Sequence, residues 1–181
     1  MTFKKFLPVG IMIAAVATIY VIVAQYLKVS ALWVPFISWP LYFIAGAKPS
    51  RLHKEVIGLI GGVIFAYLTL VIVVPFTGIF GSILGLPLTV FLVALIIVML
   101  ELTDWFELAP AYFFSFAGYF AYVFGGFGGQ ATPAQSIIPF SVLLMAGLGL
   151  GYLTAMFRKK ILEKEGVYGT AQETVFDKER R

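Results

Sequence analysis

The chain alternates between long apolar stretches and short polar breaks. Six stretches are long enough, or nearly so, to cross a hydrocarbon core of about 30 Å, which takes roughly 20 helical residues. None alternates with the period of a barrel strand, and in lipid each segment must satisfy its own backbone polar groups. Six transmembrane helices are therefore predicted, at residues 6–26, 31–47, 56–76, 82–100, 108–124 and 137–157.

Composition supports the same class of protein. Of the 181 residues, 61% are apolar and only 12% are charged, whereas about 25% are charged in soluble domains. We therefore predict an all-α integral membrane protein with a transmembrane domain at residues 1–158 and a charged cytoplasmic tail at 159–181. The first span is too long for a cleavable signal and lacks a small-residue cleavage site, so we expect it to be retained.

Basic residues indicate the orientation of the spans. With six spans, three polar segments fall on one side: the start of the chain, the break between spans two and three, and the end of span six. They hold nearly all the lysine and arginine, whereas the other side holds only Lys28. Positively charged flanks stay cytoplasmic, so both termini are predicted to be cytoplasmic. No charge is expected within the hydrocarbon region.

Two segments of the sequence each have a similar segment later in the chain. SWPLYF at 38–43 matches SFAGYF at 115–120 at an offset of 77 residues, and GGVIFAYLT at 61–69 matches AGLGLGYLT at 146–154 at an offset of 85. Three spans per unit is an odd number, so a second copy must enter the membrane from the opposite face. The sequence predicts two inverted repeats, residues 6–76 and 82–157. Chance similarity between aromatic-rich helices is the alternative.

Spans two and five are the shortest and are interrupted by proline or glycine. Such segments at corresponding positions of inverted repeats are typical of a solute path, although a proline kink with no role in transport would look the same. Serine hydroxyls and aromatic rings share one face of each span. The predicted path residues are Ser38, Trp39, Tyr42, Phe43, Tyr112, Ser115, Phe116, Tyr119 and Phe120.

An uncharged path of hydroxyl groups and rings suits a small neutral or weakly polar solute, such as urea, a short amide or ammonia. A channel or facilitator is therefore the leading interpretation. Cations held by ring faces remain open, and so does a proton-coupled carrier, which would need a titratable group at depth. Glu101 is the nearest candidate. If its helix continues, it forms a cytoplasmic acidic edge with Asp104 and Glu107, which is either solvated, a gate or a vestibule that attracts cations.

Small residues recur at helical spacing in spans three and six. Gly58 and Gly62 are four apart, and Gly147 and Gly151 repeat the spacing. Such rows let membrane helices approach closely, so these glycines are predicted to mediate packing. Six helices barely enclose a pathway, and we therefore expect a homo-oligomer surrounded by membrane lipid.

The remaining chemistry is sparse. The chain has no cysteine and one histidine, and it contains no nucleotide-binding loop and no pairing of nucleophile with base. We expect no enzymatic activity, no metal, no cofactor and no nucleic-acid partner. A non-transporting scaffold that binds a partner through its tail is the alternative from another class.

The run SWPLYFIAGAKPS at 38–50, together with LELTDWFELAPAYFFSFAGYFAY at 100–122, resembles the bacterial inner-membrane family known as domain of unknown function 1097. The resemblance covers nearly the whole chain. It implies an inner-membrane location and brings neither an assigned function nor functional residues.

Overall fold

The structure, a computed structural model, describes residues 2–170, and within that range it contains helices and turns but no strand. The all-α prediction is confirmed for this part of the chain, whereas residues 171–181 of the predicted tail lie outside it. Two 3-10 turns, Pro49–Arg51 and Leu100–Leu102, flank the third helix. The five α-helices are α1 (Phe3–Tyr26), α2 (Pro35–Ile44), α3 (Leu52–Met99), α4 (Ala109–Phe124) and α5 (Pro133–Lys164).

Proline marks three of the helix starts. Pro35, Pro110 and Pro133 occupy the first turn of α2, α4 and α5, where the missing N–H costs no helical hydrogen bond. Thr132 and Gln135 also form a reciprocal capping box at the start of α5. These local signals fix the beginning of α5 four residues earlier than the predicted span.

α3 contains both the third and the fourth predicted spans. At Gly81 the backbone leaves the helical region, with φ of 79° and ψ of 168°, a conformation that glycine adopts at little cost. Gly85 then lies directly against Thr77, although residues eight apart in a straight helix are separated by about 12 Å. The chain therefore reverses at Gly81, and α3 is a helical hairpin with arms 52–80 and 82–99.

Within residues 2–170, three helices are long and apolar enough to cross a membrane: α1, α3 with its flanking turns, and α5. These helices indicate a membrane protein. α2 has 10 residues and is about 15 Å long, and α4 has 16 and is about 24 Å long, so both fall short of a 30 Å core. The six predicted spans thus correspond to two long helices, one long hairpin and two short helices.

The helices pack in two pairs. The most extensive contacts join α3 to α4 and α2 to α5, and contacts between these pairs are smaller. The α3–α4 pair supplies Leu59, Val63 and Tyr119 to a common core, and the α2–α5 pair supplies Leu41 and Phe140. The core therefore lies at the junction of the two pairs, while α1 buries little of its own surface.

Candidate functional site

Two glycines lie where the helices of each pair approach closely. Gly62 of α3 lies against the hydroxyl of Ser115 and the carbonyl of Tyr112 in α4, and a Cβ at Gly62 would overlap both. In the other pair, Gly147 of α5 lies against the hydroxyl of Ser38 and the carbonyl of Pro35 in α2. Each glycine is thus in contact with one serine and with the backbone of the residue three positions before that serine.

The two contacts are related by the offsets found in the sequence. Gly147 follows Gly62 by 85 residues, and Ser115 follows Ser38 by 77. The remaining predicted packing glycines also lie at helix contacts, because Gly58 is against Ala111 and Gly151 is against Trp39 and Tyr42. Both pairs therefore use the same type of contact at matching positions.

Four polar side chains of the predicted path make hydrogen bonds, whereas the buried hydroxyl of Tyr112 has no partner. Ser38 Oγ donates to the Leu144 carbonyl at 2.7 Å, and Ser115 Oγ donates to the Ala111 carbonyl at 2.9 Å. The Trp39 indole N–H donates to Thr154 Oγ1 at 2.9 Å, and the Tyr119 hydroxyl donates to the Pro133 carbonyl. Ser38, Trp39 and Tyr119 therefore each join two helices, whereas Ser115 bonds within its own helix.

Burial divides the nine predicted path residues into two groups. Ser38, Trp39, Tyr42, Tyr112, Ser115 and Tyr119 are buried. Phe43, Phe116 and Phe120 are partly buried against the core, and the Phe116 and Phe120 rings meet edge to face at 4.8 Å. The serine-bearing faces of α2 and α4 therefore point into the protein.

An apolar groove of about 470 Å³ lies between α2 and α4, at the place where a solute path was predicted. Its wall is formed by the faces of α2 and α4 that lie opposite the serine-bearing faces. None of the nine predicted path residues lines the groove. The residues lining it include Phe36, Ile37, Pro40, Phe114, Ala117 and Gly118.

Trp39 and Phe43 line a second groove of about 470 Å³, between α1, α2 and α5. Arg158 also lines this groove and is only 8% exposed. Its guanidinium carbon lies 5.3 Å from the centroid of the Phe6 ring, a cation–π distance. The first residue of the predicted charged flank is therefore drawn into contact with α1.

An ionic cluster joins the start of α3 to the segment before α4. Arg51 Nη2 lies 2.8 Å from Glu107 Oε1, and Lys54 Nζ lies 2.9 Å from both Glu107 Oε1 and Asp104 Oδ1. The second helical arm and its 3-10 turn end at Leu102, so the acidic residues do not share one continuous helix. Hydrogen bonds from Lys54 and Arg51 lower the pKa of Glu107 below its usual value.

Glu55 is a buried carboxyl group that the sequence interpretation missed. It is fully buried in α3, and neither carboxylate oxygen has a hydrogen-bond partner. It stands immediately before the predicted third span, whose first residue is Val56. Helical spacing could have predicted that Glu55 is buried. Glu55 precedes Leu59 by four residues and Gly62 by seven, which places all three on one helix face.

No group of three His, Cys, Asp or Glu side chains in residues 2–170 could hold a metal ion. The fold and these contacts define an all-helical protein whose long apolar helices indicate a membrane protein.

The chain belongs to the family described as protein of unknown function (DUF1097), whose model matches residues 10–159. The family predicted from the two aromatic motifs is thereby confirmed. No curated protein and no solved structure matches the chain.

Proposed function

We propose that the protein is a facilitator that carries a small neutral or weakly polar solute, such as urea, a short amide or ammonia, across a bacterial inner membrane. The observation that supports this most directly is the matched pair of contacts, Gly62 on Ser115 and Gly147 on Ser38. Repeated contacts of this kind are expected of inverted repeats, a construction common among secondary transporters.

In this proposal each unit has three segments that cross the membrane, and the short helices α2 and α4 cross together with the turns that flank them. The first unit consists of α1, α2 and the arm 52–80 of α3, and the second consists of the arm 82–99, α4 and α5. Close contacts then join the two units, because α2 packs on α5 and α4 packs on the first arm of α3 through Gly58 and Gly62. An odd number of segments inverts the second unit, with both termini cytoplasmic.

The solute path lies at the junction of the two pairs, where Tyr42 and Tyr119 are buried in the common core. Because six of the nine path residues are buried and four of their polar side chains are hydrogen-bonded, this conformation corresponds to the closed state of the path. Separation of the pairs opens a passage walled by aromatic rings and hydroxyl groups. Lipid and a second copy of the chain cover the exposed apolar sides of α1 and the second arm of α3.

Flux measurements test the proposal. Purified protein in liposomes should raise the flux of radiolabelled urea, acetamide or methylamine above that of empty liposomes. Tyr119→Ala and Ser115→Leu should abolish the gain, because both alter the path. Phe113→Ala is the matched control, since Phe113 is an aromatic residue of α4 that is 38% exposed. Flux equal to that of empty liposomes for all three solutes overturns the proposal.

A scaffold that binds a partner through residues 159–181 is the alternative. Deletion of residues 165–181 separates the two functions, because a facilitator keeps its flux and a scaffold loses its partner. This deletion removes the segment 171–181, which lies beyond the described part of the chain.

A further inference from the structure

Glu55 occupies a position where packing alone does not require a carboxyl group. By the 85-residue offset that relates Gly62 to Gly147, Glu55 corresponds to Phe140. Both side chains are fully buried. Phe140 fills its position with a ring that packs against Tyr119 and Tyr122, so one half of the molecule has an apolar side chain where the other has an acid.

The free-energy cost of this arrangement depends on the charge of Glu55. An ionised carboxylate without a hydrogen-bond partner is strongly unfavourable in a buried site, and a neutral carboxyl group is much less so. Neither Oε1 nor Oε2 of Glu55 has a partner. The closed conformation is therefore favoured by a proton on Glu55.

The surrounding charges do not remove this cost. Arg51, four residues before Glu55, is paired with Glu107, and Lys54 is paired with Asp104 and Glu107. Several other titratable groups lie on the elements packed against α3, and none of them makes a hydrogen bond to Glu55. These groups include Tyr42 in α2, Lys48 beyond the end of α2, Glu101 in the 3-10 turn, Tyr112, Tyr119 and Tyr122 in α4, and Tyr152, Arg158 and Lys159 in α5.

Glu55 also stands at the junction of the two helix pairs. It shares a face of α3 with Gly62, which contacts α4, and with Leu59, which lies in the core common to both pairs. A movement that separates the pairs would admit water to this position. The ionic cluster of Arg51, Lys54, Asp104 and Glu107 marks the same end of α3, so Arg51 is placed to compensate a charge on Glu55.

We propose that Glu55 is the proton-binding residue that controls the opening of the solute path, an inference that rests on the proposed function. In the closed conformation Glu55 holds its proton. When the pairs separate at the end that carries the ionic cluster, the O–H bond of the carboxyl group breaks, the proton passes to a water molecule on that side, and the carboxylate that remains faces Arg51. Reclosure takes a proton back from the same side, so a higher pH at that end favours the open conformation.

Transport in liposomes tests the control by pH. Wild-type protein should take up radiolabelled urea or acetamide faster when the pH on the side of the ionic cluster is raised. Glu55→Gln, once gel filtration has shown that the variant is folded, should lose this response and keep the flux that the wild type has at low pH. Glu101→Gln is the matched control, because Glu101 is exposed at the same end, and it should respond as the wild type does.

Infrared spectroscopy tests the proton on Glu55 without any transport measurement. The difference spectrum of wild type minus Glu55→Gln at neutral pH should contain the C=O band of a protonated carboxyl group. Carboxylate bands in its place overturn the inference. A Glu55→Gln variant whose flux still depends on this pH, or a wild type whose flux does not, also overturns it. Absence of all wild-type flux instead overturns the proposed function, and the infrared bands still report the state of Glu55.

Discussion

Gly62 of α3 lies directly against the hydroxyl of Ser115 in α4, with no room for a Cβ between them. Gly147 meets Ser38 in the same way in the other pair. We predict that Gly62→Ala and Gly147→Ala each destabilise the protein by about 1–3 kcal/mol, because the helices must move apart to admit a methyl group. Thermal unfolding in detergent measures the effect.

Gly149→Ala provides the matched control for the glycine variants. Gly149 lies in α5 between Gly147 and Gly151, and a Cβ there would meet nothing within 4 Å. Since alanine is the better helix former, this variant should be as stable as the wild type or more stable. Equal loss in Gly149→Ala and Gly147→Ala would show that close approach is not what the glycine provides.

Ser38 and Ser115 occupy matching positions and make different hydrogen bonds. Ser38 Oγ donates across the pair to Leu144 of α5, whereas Ser115 Oγ donates to Ala111 of its own helix. Ser38→Ala should therefore cost about 0.5–1.5 kcal/mol, because its bond joins two helices. Ser115→Ala should be close to neutral, because its bond stays within one helix and does not hold the pair together. Unfolding free energies in mixed micelles test the difference, and similar losses would contradict it.

Trp39 and Thr154 join α2 to α5 by a buried side-chain hydrogen bond of 2.9 Å. We expect Trp39→Phe and Thr154→Val to be non-additive, with a coupling free energy of about 0.5–1.5 kcal/mol. The double-mutant cycle removes the separate effects of the lost ring volume and of the bond from Thr154 Oγ1 to the Leu150 carbonyl. Strict additivity would mean that the bond does not stabilise the pair.

Glu107 links stability to pH. Because Lys54 and Arg51 lower its folded-state pKa, its contribution is complete above the unfolded pKa and is lost as the pH falls through the lowered folded value. The thermal unfolding midpoint of the wild type should therefore decrease as the pH is lowered from about 6 to about 3. Glu107→Gln should make the midpoint less dependent on pH.

Glu101→Gln is the comparison for Glu107→Gln. Glu101 is exposed in the neighbouring 3-10 turn, and it forms no ion pair within residues 2–170. Its variant should retain the wild-type dependence on pH. If both variants flatten the dependence equally, the cluster around Lys54 is not its cause.

The length of the apolar runs and the spacing of the glycines could be predicted from the sequence, because both depend only on residues that are close together in the chain. A long apolar run needs an internally bonded helix wherever it lies, so α1 and α5 follow from pattern alone. The family also follows from two aromatic motifs. Local pattern did not reveal that spans three and four form one hairpin, because that depends on the backbone of Gly81 and on the contact of Gly85 with Thr77.

By itself, the sequence determined the helical class of the protein, its apolar character, its family and the two pairs of similar segments, because each depends on residues that are neighbours along the chain. Tertiary structure alone decided that Gly62 meets Ser115, that Gly147 meets Ser38, and that Glu55 is enclosed without a partner. These relationships join residues far apart in the chain, and whether a carboxyl group is solvated or buried depends on which helices close around it.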